Sequence, residues 1–284
     1  MNQNHQTGFT LIEIAIVLLI VTILLGYTVA LFPKQQELKQ YRAVEQEMEE
    51  IIAAIVGFAQ VNGRLPCPAI PNSAGAEDGG GIADCNNFGG FVPINTLGIN
   101  GRLNADSLLL DPWGNPYRYY VTDNDFDGNG FSDFVVANEM RNIGLVSTVP
   151  PYLDLDGQFI VCDQAGPPLN DICDAAVEVF GNAAGGGGPY AGAPFMLVSH
   201  GRNWNEGAAA GDELINMGAT LTTAFVPPIP NGPTGSPYRL KDVGAGETTF
   251  VHRITGFAED FDDVVKWVSP GILFSKMIEA GQLP

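Results

Sequence analysis

Four aspartates fall within eleven residues in the run Asp123-Asn124-Asp125-Phe126-Asp127-Gly128-Asn129-Gly130-Phe131-Ser132-Asp133. Alternating oxygen-bearing side chains in a tight turn converge on one point, and a hard cation such as Ca²⁺ takes about six to eight oxygen ligands. Asp125, Asp127, Asn129 and Asp133 fit a D-x-D-x-N-G-x-x-D spacing with Gly130 at the sharp turn. Asp123, Asp125 and Asp127, followed by Gly128, fit a second register. Neither register carries a glutamate at its twelfth position, so the pattern is not that of an EF-hand. The spacing predicts a structural Ca²⁺ on Asp123, Asp125, Asp127, Asn129 and Asp133, with the register left open.

A fifth carboxylate stands in a very different setting. From Phe9 to Phe32 runs a 24-residue apolar stretch whose single charge is Glu13. As a helix it would span roughly 36 Å, against about 30 Å for a hydrocarbon core. An acid near the centre of such a span costs about 2.5–3.5 kcal/mol, and less toward its end. A charge in that position calls for an opposite charge close by, and an amine is the nearest candidate.

Gly8-Phe9-Thr10-Leu11-Ile12-Glu13, set ahead of an apolar helix, resembles the cleavage motif of type IV prepilins and type II secretion pseudopilins. The resemblance implies a prepilin peptidase that cuts between Gly8 and Phe9 and methylates the new terminal amine. It makes Glu13 the fifth residue of the mature chain, facing the N-terminal ammonium of a neighbouring subunit during assembly. It implies other pilin or pseudopilin subunits and an inner-membrane assembly platform as partners. The expected location is the bacterial inner membrane, as a single-pass protein with its head in the periplasm, and then a pilus or pseudopilus that can reach the cell surface. The leader, Met1 to Gly8, departs from the family pattern in lacking Lys and Arg, while Lys34, Lys39 and Arg42 follow the apolar run. Those charges alone would hold the following domain in the cytoplasm, but long domains translocate largely regardless of flanking charge. Glu37, Glu45, Glu47, Glu49 and Glu50 also accompany them. A cleaved secretory signal is not indicated, because it needs a basic start and a small-residue site after the apolar stretch.

The net charge of −19 and pI near 4.2 give a surface that repels nucleic acid phosphates. The 35 glycines and 20 prolines predict many turns and long connections. Trimming eight leader residues from 284 leaves 276, and more than 200 of them lie beyond the long helix, enough for a sizeable core. The four cysteines are Cys67, Cys85, Cys162 and Cys173, none in a CxxC spacing, and the histidines are His5, His200 and His252. That set does not suit zinc. An even count in an exported domain predicts disulfides, and three pairings are open. Cys67–Cys85 and Cys162–Cys173 are preferred because each closes a short loop.

Pro33 is expected to kink or briefly end the helix. Beyond it Leu38, Tyr41, Val44, Met48, Ile52, Ile55 and Ala59 form one apolar face of a second helical half that stops at Asn62-Gly63. Arg64-Leu65-Pro66-Cys67-Pro68-Ala69 begins a loop, and residues 73–81 read as a surface excursion. Asp111-Pro112-Trp113-Gly114-Asn115-Pro116-Tyr117 resembles the loop-to-strand motif of major pseudopilins and leads into a strand at Tyr117–Val121. Further strands are expected at Asp133–Asn138, Gly157–Cys162, Ala175–Phe180, Phe195–Ser199 and Thr248–His252. Asp260–Asp263 reads as the acidic start of a helical stretch over Val264–Val268, interrupted by Pro270 and resumed over Ile272–Ala280. The Arg-Leu-Pro-Cys-Pro loop at 64–68 and the ending Asp262-Asp263-Val264-Val265-Lys266-Trp267-Val268-Ser269-Pro270 are similar to those of a group of large prepilin-like proteins.

The expected fold is α+β: a pilin-like long N-terminal helix packed on an antiparallel sheet with long loops. The expected divisions are a leader at 1–8, the membrane or filament-core half of the helix at 9–32, its amphipathic half at 33–62 and a globular head at 63–284. The acidic loop is similar to the calcium loops of integrin-type propeller repeats. Major pseudopilins hold calcium in a later loop, and Ser199-His200-Gly201-Arg202-Asn203 holds a comparable place here, with Glu206, Asp212 and Glu213 as oxygen sources. No GxSxG, HExxH or Cys/His pairing indicates catalysis, so no enzymatic role is expected. The resemblance implies a structural subunit, with a tip adhesin or secretion-substrate binding module on a pilin anchor as the alternative. A large head favours a minor or tip subunit over a densely packed major one.

Overall fold

The computed structural model describes residues 11–144, 155, 157–163, 178–180, 192–202, 212–218, 240–253 and 261–284, with the backbone alone over 26–34, 178–180, 212, 214 and 245. The chain forms two compact units, residues 1–43 and residues 44–284. Helix α1 runs from Leu11 to Asn62 without a break at Pro33. Proline there removes one backbone donor, and the hydrogen bonds of the surrounding turns carry the helix past it. The helix stops where expected: Gly63 takes φ +68°, and its N–H donates to the Ala59 carbonyl at 2.9 Å. A left-handed residue at this position favours glycine, so the Asn62-Gly63 pair is a sound stop signal.

In the second unit, Val44, Met48, Ile51, Ile55 and Ala59 are buried along one side of α1. Each fully buried aliphatic side chain contributes roughly 1.5–3 kcal/mol, well above any difference in helix propensity. Packing therefore decides the register. It selects Ile51 over its neighbour Ile52, which is half-buried, and leaves Leu38 exposed.

Four strands form an antiparallel sheet in the order β1 (Gly89–Phe91), β2 (Arg118–Val121), β5 (Phe195–Ser199), β7 (Val264–Trp267). Short helices α2 (Ile94–Leu97) and α3 (Glu139–Ile143) lie in the connections on either side of β2. A second sheet sets β3 (Ile160–Cys162) between β4 (Glu178–Phe180), antiparallel, and β6 (Thr249–Val251), parallel. Helix α4 (Asp212–Asn216) precedes β6, and α5 (Pro270–Glu279) closes the chain. This is the expected α+β arrangement, a long N-terminal helix followed by an antiparallel sheet with further strands.

Cross-strand register puts Tyr120, Met196, Val198 and Val265 on one face of the large sheet, where they form a core with Phe159, Val161 and Phe250. Tyr119 and Leu197 lie on the opposite face. There the Tyr119 hydroxyl donates to the Pro66 carbonyl at 3.0 Å, and Tyr117, of the same parity, donates to Glu47 Oε2 of α1 at 2.6 Å. Both faces of β2 and β5 are thus covered, which explains why the strands read as continuous apolar runs and do not alternate.

Two expected elements are different in the structure. Val264–Trp267 is a strand and not a helix. Its adjacent β-branched valines lose side-chain freedom in a helix, and β5 offers a long-range partner that no local pattern reveals. Asp133–Asn138 is a chain of turns and not a strand. The N–H groups of Val135 and Val136 both turn to the Ser132 carbonyl, and Asn138 has φ +71°. Its apolar residues are buried all the same, with Phe134 stacked on Phe274 of α5. Pro270 occupies the first turn of α5, a position that needs no backbone donor.

Candidate functional site

The described part of the N-terminal unit is helical, and its surface from Leu11 to Leu25 is apolar. Twelve large aliphatic side chains between Leu11 and Leu25 are exposed, from 42 % at Val21 to 88 % at Leu11. Thr22, the hydroxyl among them, donates to the Leu19 carbonyl at 2.8 Å, so it carries no unsatisfied donor into an apolar setting. Glu13 lies exposed in the first turn, where a carboxylate suits the positive end of the helix dipole. Gly8 and Phe9 lie outside the described residues. Among the described residues, no helix is long and apolar enough to cross a membrane. The apolar run with described side chains, Leu11–Leu25, is 15 residues long, where a span needs about 20.

In the acidic loop, one carboxylate oxygen each of Asp125, Asp127 and Asp133 lies within 4.8 Å of the other two. Asp125 Oδ1 accepts the N–H groups of Gly128 and Asn129 at 2.8 and 3.2 Å, and its Oδ2 accepts that of Gly130 at 2.8 Å. Asp127 Oδ1 accepts the Asn129 N–H at 3.0 Å. Asp133 is fully buried: its Oδ2 accepts the Phe126 N–H at 2.9 Å, and its Oδ1 has no partner. Burial, joined by the charges of Asp125, Asp127 and Glu139, pushes the Asp133 carboxyl up to about 7. Asp123 stands outside the group. Its carboxyl is raised by burial, with Asp242 and Asp84 adding to the effect. The fold thus brings together the register beginning at Asp125 and not the one beginning at Asp123.

The Asp111–Tyr117 turn is organised by Asp111. Its Oδ1 accepts the N–H groups of Trp113 and Asn115 at 3.0 and 2.9 Å, and its Oδ2 accepts the Ser199 hydroxyl at 2.6 Å. Asn115 Nδ2 donates to the Gly201 carbonyl. Trp113 is half-buried, and the buried Asp111 carboxylate ties the motif to Ser199 of β5. Burial raises the Asp111 carboxyl against these hydrogen bonds.

Cys67 and Cys85 are bridged, with Cα atoms 5.4 Å apart. Cys162 is also disulfide-bonded, and Cys173 lies outside the described residues. Residues 73–81 are less of a free excursion than expected. Glu77 forms a part-buried ion pair with Arg64 at 2.7 Å and accepts the Cys67 N–H at 3.0 Å. A second acidic group joins Glu213 to Asp262 and Asp263, all buried. Asp263 faces His200 Nδ1 at 3.1 Å and accepts Asn216 Nδ2 at 2.8 Å. Of the oxygen sources expected near this place, Glu213 is in the group, while Glu206 and the Asp212 side chain lie outside what is described. Asp262 and Asp263 come instead from the strand side, 49 residues or more from Glu213 in sequence, a distance no local spacing can reveal.

Residues 3–29 match the family described as the prokaryotic N-terminal methylation motif. This is a prepilin-type N-terminus. No curated protein and no solved structure matched the chain. The matched residues include Gly8, Phe9, Glu13 and the whole exposed apolar run Leu11–Leu25. Proteins with this signature are structural, and the motif supports a type IV pilin-like or pseudopilin-like protein. The acidic loop, the Asp111 turn and the Glu213 group lie beyond the match.

Proposed function

We propose that this chain is a structural subunit of a type IV pilus or a type II secretion pseudopilus, cut by prepilin peptidase between Gly8 and Phe9 and methylated on the new amine. The single observation that carries the reading is the coincidence of the prepilin-type signature at residues 3–29 with an exposed, all-round apolar helix surface. A helix that is apolar on every side needs a lipid or protein environment around it. In the inserted state that environment is the inner membrane, and in the filament it is the matching helices of neighbouring subunits. Glu13 then meets the Phe9 ammonium of the adjacent subunit, and this contact sets the axial register. The pairing offsets the cost of a carboxylate in an apolar setting, which near the end of the span is below the roughly 2.5–3.5 kcal/mol of its centre. The head faces the periplasm, where the Cys67–Cys85 bridge suits an oxidising compartment.

Replacement of Glu13 by alanine in the native host tests this role. The variant is expected to insert in the membrane at the wild-type level and to be lost from sheared filaments or pseudopili. Incorporation equal to wild type would contradict the charge pairing.

A further inference from the structure

We propose that Asp125, Asp127, Asn129 and Asp133 bind one Ca²⁺ and that the ion fastens the 123–133 loop to the disulfide-bonded segment beside it. The proposal is independent of the pilin reading. Three carboxylates supply oxygens within 4.8 Å of one another, and among the described residues none of the three is ion-paired with a Lys or Arg. Acidic side chains crowd together on many surfaces, but this group differs in one member. Asp133 is fully buried, and its Oδ1 makes no hydrogen bond. A buried carboxylate oxygen without a donor is a costly arrangement that a cation removes.

The donor set is all oxygen, with no sulfur or imidazole, which selects hard cations over zinc. The loop is irregular and half open to solvent, with Asp125, Asp127 and Asn129 exposed, so water can complete the shell. Ca²⁺ accepts such uneven geometry at six to eight ligands, while Mg²⁺ demands a near-ideal octahedron. Gly128 and Gly130, at φ +71° and +89°, turn the backbone so that their N–H groups donate to the Asp125 carboxylate. Glu139, at the start of α3, accepts Asn129 Nδ2 at 3.0 Å and adds a fourth acid at the rim.

The consequence reaches beyond the loop. The Ser132 N–H donates to Asp84 Oδ1 at 2.7 Å, next to Cys85, and Gly81 pairs with Val136. An ion at Asp133 therefore ties the loop, α3 and the Cys67–Cys85 segment into one unit.

The test is a titration of CaCl₂ into the full-length chain, purified in detergent and stripped with chelator, followed by calorimetry and by thermal melting, with MgCl₂ in parallel. One saturable Ca²⁺ per chain and a higher Tm are expected, with a smaller response to Mg²⁺. Asp127→Asn, which removes one ligand charge at an exposed residue, should weaken Ca²⁺ binding by about tenfold or more. Asp133→Asn should abolish binding, and Glu213→Gln should leave it intact. No Ca²⁺ response in the wild type overturns the assignment. So does an equal response to Mg²⁺, wild-type affinity in Asp127→Asn, or loss of binding in Glu213→Gln alone.

Discussion

Two stretches of the same helix, Leu11–Leu25 and Val44–Ala59, are both rich in aliphatic residues and have opposite fates. In the second, Val44, Met48, Ile51, Ile55 and Ala59 form one stripe buried within the chain's own head, while Glu45, Glu49 and Glu50 stay exposed. In the first, apolar residues point in every direction and all stay exposed. The difference teaches how one helix divides its labour. A stripe can be satisfied by one partner surface, and the chain supplies that surface itself. An all-round apolar helix needs partners on every side, which a single chain does not supply. The first stretch therefore reads as the part that other molecules must complete.

The sharpest way to break the comparison is a matched pair of substitutions. Ile55→Ala should destabilise the protein by about 2–5 kcal/mol in urea unfolding of the full chain in detergent, because it opens a cavity in a packed core. Leu18→Ala should change the same quantity by no more than about 0.5 kcal/mol. Equal losses would mean that the exposed stretch packs on its own head and that the two halves are not distinct. Next in size, replacing both Cys67 and Cys85 by serine should cost roughly 2–4 kcal/mol, given a loop closed across 18 residues. The loss should appear in head unfolding and leave membrane insertion unchanged.

The smallest effect is one of pH. The folded state holds the Asp111 carboxyl above its ordinary range, chiefly by burial, so the folded protein takes up a proton there before the unfolded chain does. Between the ordinary carboxylate pKa of 3.8 and the raised folded value, this group adds stability as pH falls and withdraws it as pH rises. Asp111→Asn should remove that arm. The stability of wild type minus that of the variant should therefore fall as pH rises through the window. Denaturant midpoints taken at stepped pH check this, and parallel curves for the two proteins would refute it.

What the sequence discloses follows the range of the interactions involved. The end of α1 at Asn62-Gly63, the buried stripe except at Leu38 and Ile52, the strand over Phe195–Ser199 and the Cys67–Cys85 bridge are all written in local spacing or short loops. The N-terminal signature is more local still, since the matched motif lies in one run of consecutive residues. Val264–Trp267 was illegible because its partner is β5, some 68 residues earlier, and local acidic and apolar cues favoured a helix. The convergence of Glu213 with Asp262 and Asp263 has the same cause. The acidic loop sits between these cases. Its residues were plain, but the choice between registers depended on the burial of Asp133, which the turn at 133–138 creates and no spacing reports.

The central claim is that an amine freed at Phe9 neutralises Glu13 in an apolar setting, and the terminus itself tests it most directly. Mass spectrometry of the protein isolated from its native membranes should find a chain that starts at Phe9 with a methylated amine. A chain that keeps Met1, with no peptide beginning at Phe9, would contradict the account.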